Sequence, residues 1–483
     1  MYGITALISA ALIAYALTIG FVWDEGFHVV AAQLIERGKT PYIDFCFPQT
    51  PLNAYWNAAL MRVFGEHWRV LHVFASLEIA AAMFLTAQFI LSRFPVARWR
   101  TPAAIVAVCF IGLHSEVVEF GPVAQAYAIG MLLLIAAFRV ALAFPDRPRS
   151  PSLAFGAGLL AGGAAGCTLL TAPAAPVLLL WFWLQARGAA PLRTAAALIS
   201  GVLIPFTPVF WLFAEAPRVV FFNIVQYQAI FRRVDWPGAT PHDVDVLSSW
   251  LVDGQTLLMG LLALFGVYFV WKRSQWPLPQ SRPLYLAAGI AVALILYIAT
   301  AHPTFSRYFI VAAPLVSILA AVGLYAAASR LADSNRPLWP TAILVVLIVL
   351  GYGRALFDER DATTWGDYEQ LAKKVDEVTP KNGVLYADEL VYFLLKRAPP
   401  SGMEFSYSHK LGLPAAEEKL YHLISEKELV AEVKAGRFDT VQTCNDDKID
   451  EMHLEEVFAK KKELKDCSVY WDKKPQDLAR SNK

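Results

Sequence analysis

The chain has 483 residues, of which 57% are hydrophobic and only 17% charged, and its mean hydropathy is +0.44. That is far more apolar than an ordinary soluble domain and marks a polytopic membrane protein. A net charge of +1 excludes a global field for nucleic acid or another polyanion, so charge must matter here by position.

A span needs roughly 17–25 mostly apolar residues. The segments that qualify are 2–22, 70–91, 100–118, 121–143, 152–169, 172–186, 194–213, 252–271, 284–300, 308–329 and 338–355, about eleven by hydropathy. The first has no basic flank and no small-residue cleavage site, and reads as a retained span. An odd count puts the two ends of the chain on opposite sides of the membrane.

Lys and Arg are retained on the cytoplasmic side. Alternate loops carry Arg93, Arg98 and Arg100; Arg147 and Arg149; Arg187 and Arg193; Lys272, Arg273 and Arg282; Arg330 and Arg336. The expectation is a multi-pass plasma-membrane protein with a cytoplasmic N-terminus and external segments at 23–69, 214–251 and beyond 356.

The first external segment opens with Phe21-Val22-Trp23-Asp24-Glu25-Gly26-Phe27-His28. An amphipathic helix is expected over 28–37, stopped at Gly38, and a second begins with Thr50 as N-cap and Pro51 in the first helical position. Tyr55, Trp56 and Phe64 fall on its apolar face, which suits the membrane interface.

Asp24 and Glu25 admit two readings. Acids often follow a span merely to be solvated. Their aromatic setting and the helices that fold back behind them instead suit a roofed, partly dry pocket, where a carboxylate gains basicity. Adjacent residues point apart, so one would be the base and the other an orienting or metal-binding group.

Beyond about Phe357 the chain turns charge-rich. Strands are expected over 383–387, 440–444 and 468–471, with a capping box at Ser425 and Glu428. The expected organisation is a membrane domain over 1–356 and an extracytoplasmic α/β domain over 357–483. Cys444 and Cys467 share this tail and could pair if it is extracytoplasmic, although free thiols are the expectation. Cys109 and Cys167 sit in apolar runs, as inert core residues do.

The order of span, Trp23-Asp24-Glu25-Gly26, amphipathic helix, Gly38-Lys39-Thr40-Pro41-Tyr42-Ile43-Asp44 and Pro51-Leu52-Asn53-Ala54-Tyr55-Trp56 resembles the first external loop of GT-C glycosyltransferases. The nearest likeness is to the family of protein O-mannosyltransferases and lipid A aminoarabinose transferases. His302-Pro303-Thr304-Phe305-Ser306-Arg307-Tyr308 through Pro314 resembles the Arg-Tyr stretch that opens a late span in that family.

The resemblance implies transfer of a sugar from a polyprenyl-phosphate donor to an extracytoplasmic acceptor, with the position of Asp24 serving as base. Arg307, with Tyr308, is the first choice for the donor phosphate, since a planar fork suits phosphate and a lone charge at the mouth of a span is costly. Arg232 and Arg233 are second choices. Their bland alternatives are a snorkelling arginine and a solvated loop.

An acid from the short loop holding Glu116 and Glu119 faces the first-loop acid in similar enzymes. Which of the two does so here is open, and with Asp24 they could hold a divalent cation. Where many relatives read Glu-Lys-Pro-Pro-Leu, this chain reads Pro48-Gln49-Thr50-Pro51-Leu52. The acid and the lysine are absent, which argues against aminoarabinose transfer and leaves Gln49 to make a hydrogen bond there.

Glu78 lies well inside a span, six residues after His72. The contending class is a transporter or lipid-linked glycan flippase, which tends to carry internal repeats and mid-membrane charges. The nearly charge-free spans and one-sided polar residues favour an enzyme.

Overall fold

The computed structural model describes residues 1–144, 150–186, 190–232, 238–272, 278–331 and 337–475. Arg147, Arg149, Arg187, Arg273 and Arg336, used above for orientation, and the site candidate Arg233 lie outside the described residues.

A helix occupies each segment expected to span. The first, α1 (Tyr2–Thr18), leads into the segment with α2 (Glu25–Glu36) and α3 (Leu52–Phe64). There follow α4 (Trp68–Arg93), α5 (Arg100–Gly112), the short α6 (Ser115–Phe120) and α7 (Tyr127–Ala141). Among the described residues six helical stretches are long and apolar enough to cross a membrane: Trp68–Arg93, Pro191–Glu215, Gly254–Lys272, Gln280–Ala299, Ser306–Arg330 and Leu338–Val378. Tyr2–Thr18, Tyr127–Ala141, Pro151–Cys167 and Leu169–Gln185 are apolar but shorter.

Between apolar helices in lipid, small residues let backbones approach and recover dispersion energy. A Cβ on Gly266 would sit 2.2 Å from the Leu319 carbonyl oxygen, and one on Gly323 1.9 Å from that of Leu262. These two glycines lock helix Gly254–Lys272 against Ala313–Leu331, the helix that follows Arg307.

The external segment differs in detail from the expectation. Helix α2 starts at Glu25, three residues early, with Asp24 as N-cap, and Gly38 takes φ +86° just beyond its end. Helix α3 starts at Leu52 with Pro51 as N-cap, one residue later than expected. Residues 25–34 of α2 are all buried, because the C-terminal part covers that helix. A Cβ on Gly26 would lie 3.1 Å from the Glu389 Cβ, so only a small residue lets the two layers meet.

The C-terminal part carries one sheet in the order β1-β2-β4-β3, with β1 (Leu385–Tyr386) parallel to β2 (Thr440–Thr443). Strand β4 (Cys467–Lys473) runs antiparallel to both β2 and β3 (Phe458–Leu464). The sequence reading missed β3, whose Lys460, Lys461 and Lys462 look like a solvated stretch; lysines on an edge strand block further pairing. The full capping box is at Thr364 and Asp367; Ser425 caps its own helix by accepting from the Glu428 N–H.

Thr443 faces Ser468 across the β2–β4 ladder, so the next residues out, Cys444 and Cys467, stand opposite each other and form a disulfide. The expected free thiols are corrected by this register, which their separation of 23 residues does not disclose.

One buried cluster joins α2, α3 and the C-terminal part. Trp365 stacks on Trp68 at 5.0 Å, Phe21 on Tyr368 at 5.1 Å, and Phe222 on Tyr421 at 3.9 Å.

Candidate functional site

The chain turns at 19–24 between α1 and α2, and that turn presents Asp24. The guanidinium of Arg307 donates to Asp24 Oδ2, and the Tyr407 hydroxyl donates to Oδ1 at 2.5 Å. Each oxygen of the carboxylate therefore has its own partner, one a cation and one a neutral hydroxyl. The Asp24 side chain is 22% exposed and that of Arg307 18%.

Glu25 goes the other way. It is fully buried; its Oε1 pairs with His72 Nε2 at 2.8 Å and accepts from the Ala124 N–H at 2.9 Å. His72 Nδ1 donates to the Ala16 carbonyl at 2.7 Å, which leaves Nε2 to face Glu25. Glu25 thus ties α2 to α1, α4 and the segment before α7, and it does not join Asp24 in the open site. Glu78, linked above to His72, accepts instead from Trp56 Nε1 at 2.8 Å.

Arg307 lies over the Phe305 ring at 4.2 Å, hydrogen-bonds Tyr127, and leaves a buried Nε without a partner. Arg232 approaches the same ring at 5.6 Å and donates to the Tyr308 hydroxyl and, at 3.1 Å, to Gln228 Oε1. Two guanidinium groups within 6 Å of one ring repel each other, and among the described residues Asp24 is the one carboxylate in an ion pair with either.

Arg232 ends a π-helical stretch, Phe222–Phe231, a rare geometry that recurs at functional sites. Asn223 accepts from the Phe47 N–H at 2.8 Å, and Gln228 donates to the Pro48 carbonyl at 2.6 Å. These two amides clip the stretch to the first external segment. The Gln49 carbonyl accepts from the Tyr42 hydroxyl at 2.6 Å, a bond that shapes the loop. On the other side Asp243 accepts from His302 at 2.5 Å and from the Thr304 N–H at 2.6 Å, fixing the turn before Arg307.

Helix α5 stops at Gly112, which leaves Glu116 and Glu119 on α6. Gln255 holds the start of α6 by accepting from the Ser115 N–H at 2.8 Å. Glu116 hydrogen-bonds Ser306, next to Arg307, and burial raises its pKa. Glu119 is pushed up to about 8, by burial first and then by Glu116 and Glu359. His28 is lowered to about 4 by burial, so it is neutral at physiological pH, and its Nδ1 has no partner. Among the described residues no group of three or more His, Cys, Asp and Glu could hold a metal, and Asp24, Glu116 and Glu119 do not converge as one.

Tyr407 and Tyr127 escaped the sequence reading. A lone tyrosine in a polar tail carries no local signal of a carboxylate 383 residues away.

No family model matches the chain, and no curated protein matches it in sequence. Solved structures do match in three dimensions. ArnT from Cupriavidus metallidurans bound to undecaprenyl phosphate superposes with a TM-score of 0.67 at 13% identity, over 96% of this chain and 97% of that one. The chain has the GT-C fold. The apo state of the same ArnT matches equally, with a TM-score of 0.67 at 14% identity over 96% of each chain. The apo oligosaccharyltransferase from Archaeoglobus fulgidus gives a TM-score of 0.51 at 14% identity, over 93% of this chain and 70% of that one. In this GT-C fold Arg307 and Arg232 share the Phe305 ring, and Asp24 joins Arg307 to Tyr407 of the C-terminal part.

Proposed function

We propose that the chain is an integral-membrane glycosyltransferase that moves a sugar from a polyprenyl-phosphate donor to an extracytoplasmic acceptor. One observation carries the reading: Arg307 and Arg232 converge on the Phe305 ring, with a buried unpartnered donor on Arg307, beside a carboxylate. Two clustered cations invite an anion, and phosphate fits a guanidinium edge. The ArnT of the same fold binds undecaprenyl phosphate, which agrees with such a donor.

In this mechanism Asp24 takes the proton of the acceptor hydroxyl. The acceptor oxygen bonds the anomeric carbon, the bond from that carbon to the phosphate oxygen breaks, and polyprenyl phosphate leaves with the electron pair. Arg307, aided by Arg232, offsets the charge that grows on the leaving phosphate. Glu116 and Glu119 line the approach beside Ser306, and Gln49 shapes the loop below.

The reading includes about eleven spans, a membrane domain over 1–356 and an α/β domain over 357–483. The N-terminus is cytoplasmic, with the site and the C-terminal domain outside the plasma membrane. The Cys444–Cys467 disulfide supports that side, since disulfides persist in oxidising compartments. The decisive experiment is mass spectrometry of lipid-linked sugars and envelope glycans in a strain lacking the protein. An accumulated polyprenyl-phosphate sugar with a missing glycan is expected; unchanged pools of both would refute the reading.

A further inference from the structure

We propose that the Tyr407 hydroxyl stands where the acceptor's hydroxyl binds, so that the acceptor is a neutral hydroxyl compound that reaches Asp24 from the C-terminal-domain side. The inference rests on the transferase reading above.

The division of labour on Asp24 is the starting point. Arg307 takes Oδ2 and Tyr407 takes Oδ1, so the cationic side and the hydroxyl side of the carboxylate are distinct. A base must lie within hydrogen-bond reach of the proton it accepts, roughly 2.6–3.2 Å between heavy atoms. The Tyr407 oxygen, 2.5 Å from Oδ1, already sits at that position. It does not surrender the proton itself, because a phenol that donates to a carboxylate keeps its proton. Tyr407 is therefore a placeholder.

The side chain is also built to leave. It is 49% exposed, whereas Phe405, Ser408 and His409 around it are buried. The Ser406 N–H is held by Glu389 Oε1 at 2.8 Å, and Phe405 packs on Phe27 at 5.1 Å and Tyr227 at 5.6 Å. The segment is pinned, and a rotamer change of one ring frees Oδ1 without moving it.

Charge decides the acceptor class. Asp24 and Glu389 act electrostatically on Tyr407, Arg307 opposes them from the Oδ2 side, and His28, behind Phe27 at 4.2 Å, is neutral. An anionic acceptor would bring its charge against Asp24 and Glu389, whereas a hydroxyl of a sugar or polyol brings none. On reaction the acceptor O–H breaks, its proton goes to Oδ1, the new oxygen–carbon bond to the sugar forms, and polyprenyl phosphate departs on the Arg307 side.

The test uses the purified full chain, with the lipid-linked sugar fraction of a strain lacking the protein as donor. Methyl β-glucoside is the neutral probe and inorganic phosphate the anionic one. Tyr407→Phe, which keeps the ring, removes the competing hydroxyl; transfer to methyl β-glucoside should rise roughly 2- to 10-fold through a lower acceptor KM, the equivalent of one hydrogen bond. Phosphate should be a poor acceptor, and undecaprenyl phosphate binding should not change. A wild type that transfers while Tyr407→Phe and Tyr407→Ala are both no faster overturns the inference and leaves the transferase reading standing, as does phosphate accepted as readily as the glucoside. A wild type that transfers to neither probe overturns both.

Discussion

Asp24 and Arg307, 283 residues apart in sequence, form an ion pair where the turn after the first helix meets the start of a late apolar helix. The pair joins a candidate base to a candidate phosphate ligand. It also explains why neither charge is ruinous so close to the bilayer: each partly neutralises the other, with aromatic rings around them.

Asp24→Asn keeps the shape but cannot take a proton; its one carbonyl oxygen can still accept from Arg307, while its amide group replaces the acceptor that Tyr407 uses. Sugar transfer should fall about 10²- to 10⁴-fold, while undecaprenyl phosphate binding and the melting temperature in detergent stay near the wild type. Steady-state transfer assays with both controls check this. Retained turnover would remove Asp24 from the role of base.

Arg307→Lys keeps the charge and loses the planar fork and the stacking on Phe305. Binding of undecaprenyl phosphate should weaken by about 1.5–3 kcal/mol, the scale of one hydrogen bond to a charged group. Arg232→Lys should lose less, since Tyr308 and Gln228 already occupy its donors. Equilibrium binding of radiolabelled undecaprenyl phosphate ranks the two variants, and the reverse order would transfer the principal phosphate contact to Arg232.

What the sequence disclosed follows the range of each interaction. Helices over the apolar segments are set by local hydropathy and could be read directly. The stop at Gly38 follows from one residue's backbone freedom. Arg307 stands out in the sequence because a lone charge at the end of an apolar run is locally conspicuous. The partners of Glu25, His72 and Ala124, arrive from other parts of the chain and leave no local signal. Tyr407 was invisible for the same reason, and β3 because lysines on an edge strand resemble a solvated loop.

The Glu25–His72 pair should act on stability and leave the chemistry alone. Removing one member of a fully buried pair costs about 3–5 kcal/mol, so Glu25→Ala and His72→Ala should melt well below the wild type in detergent. Glu25→Gln retains an oxygen at the position where Oε1 accepts from the Ala124 N–H and meets His72; it should lose less and keep transfer activity. If Glu25→Gln abolished transfer in a well-folded protein, Glu25 would belong to the chemistry.

Glu119 gives the structure a pH dependence whose sign is fixed. Its folded pKa of about 8 lies above the ordinary carboxyl value of 4.5, so the folded state binds the extra proton. Its contribution is fully present below about pH 4.5 and is lost as pH rises towards 8. Glu119→Gln carries no such penalty. The variant should melt above the wild type at pH 8–9, with the difference shrinking towards pH 5, as melting curves across that range will show. Parallel curves at every pH would assign Glu119 an ordinary solvated carboxyl.

The Cys444–Cys467 bridge ties the orientation to a measurement. Cys46, Cys109 and Cys167 are free and buried, so unfolded, unreduced protein should take up three maleimides, and five after reduction. Closing a loop with a separation of 23 residues is worth about 3 kcal/mol in the chain-entropy description, so the double Cys→Ser variant should melt lower even without reductant. Expression in a host lacking its periplasmic disulfide oxidase should leave five reactive thiols if the C-terminal part is external, because a reducing cytoplasm would otherwise have kept them free in either host. Five free thiols in the ordinary host as well would place the tail on the cytoplasmic side and, with it, the Asp24–Arg307 site.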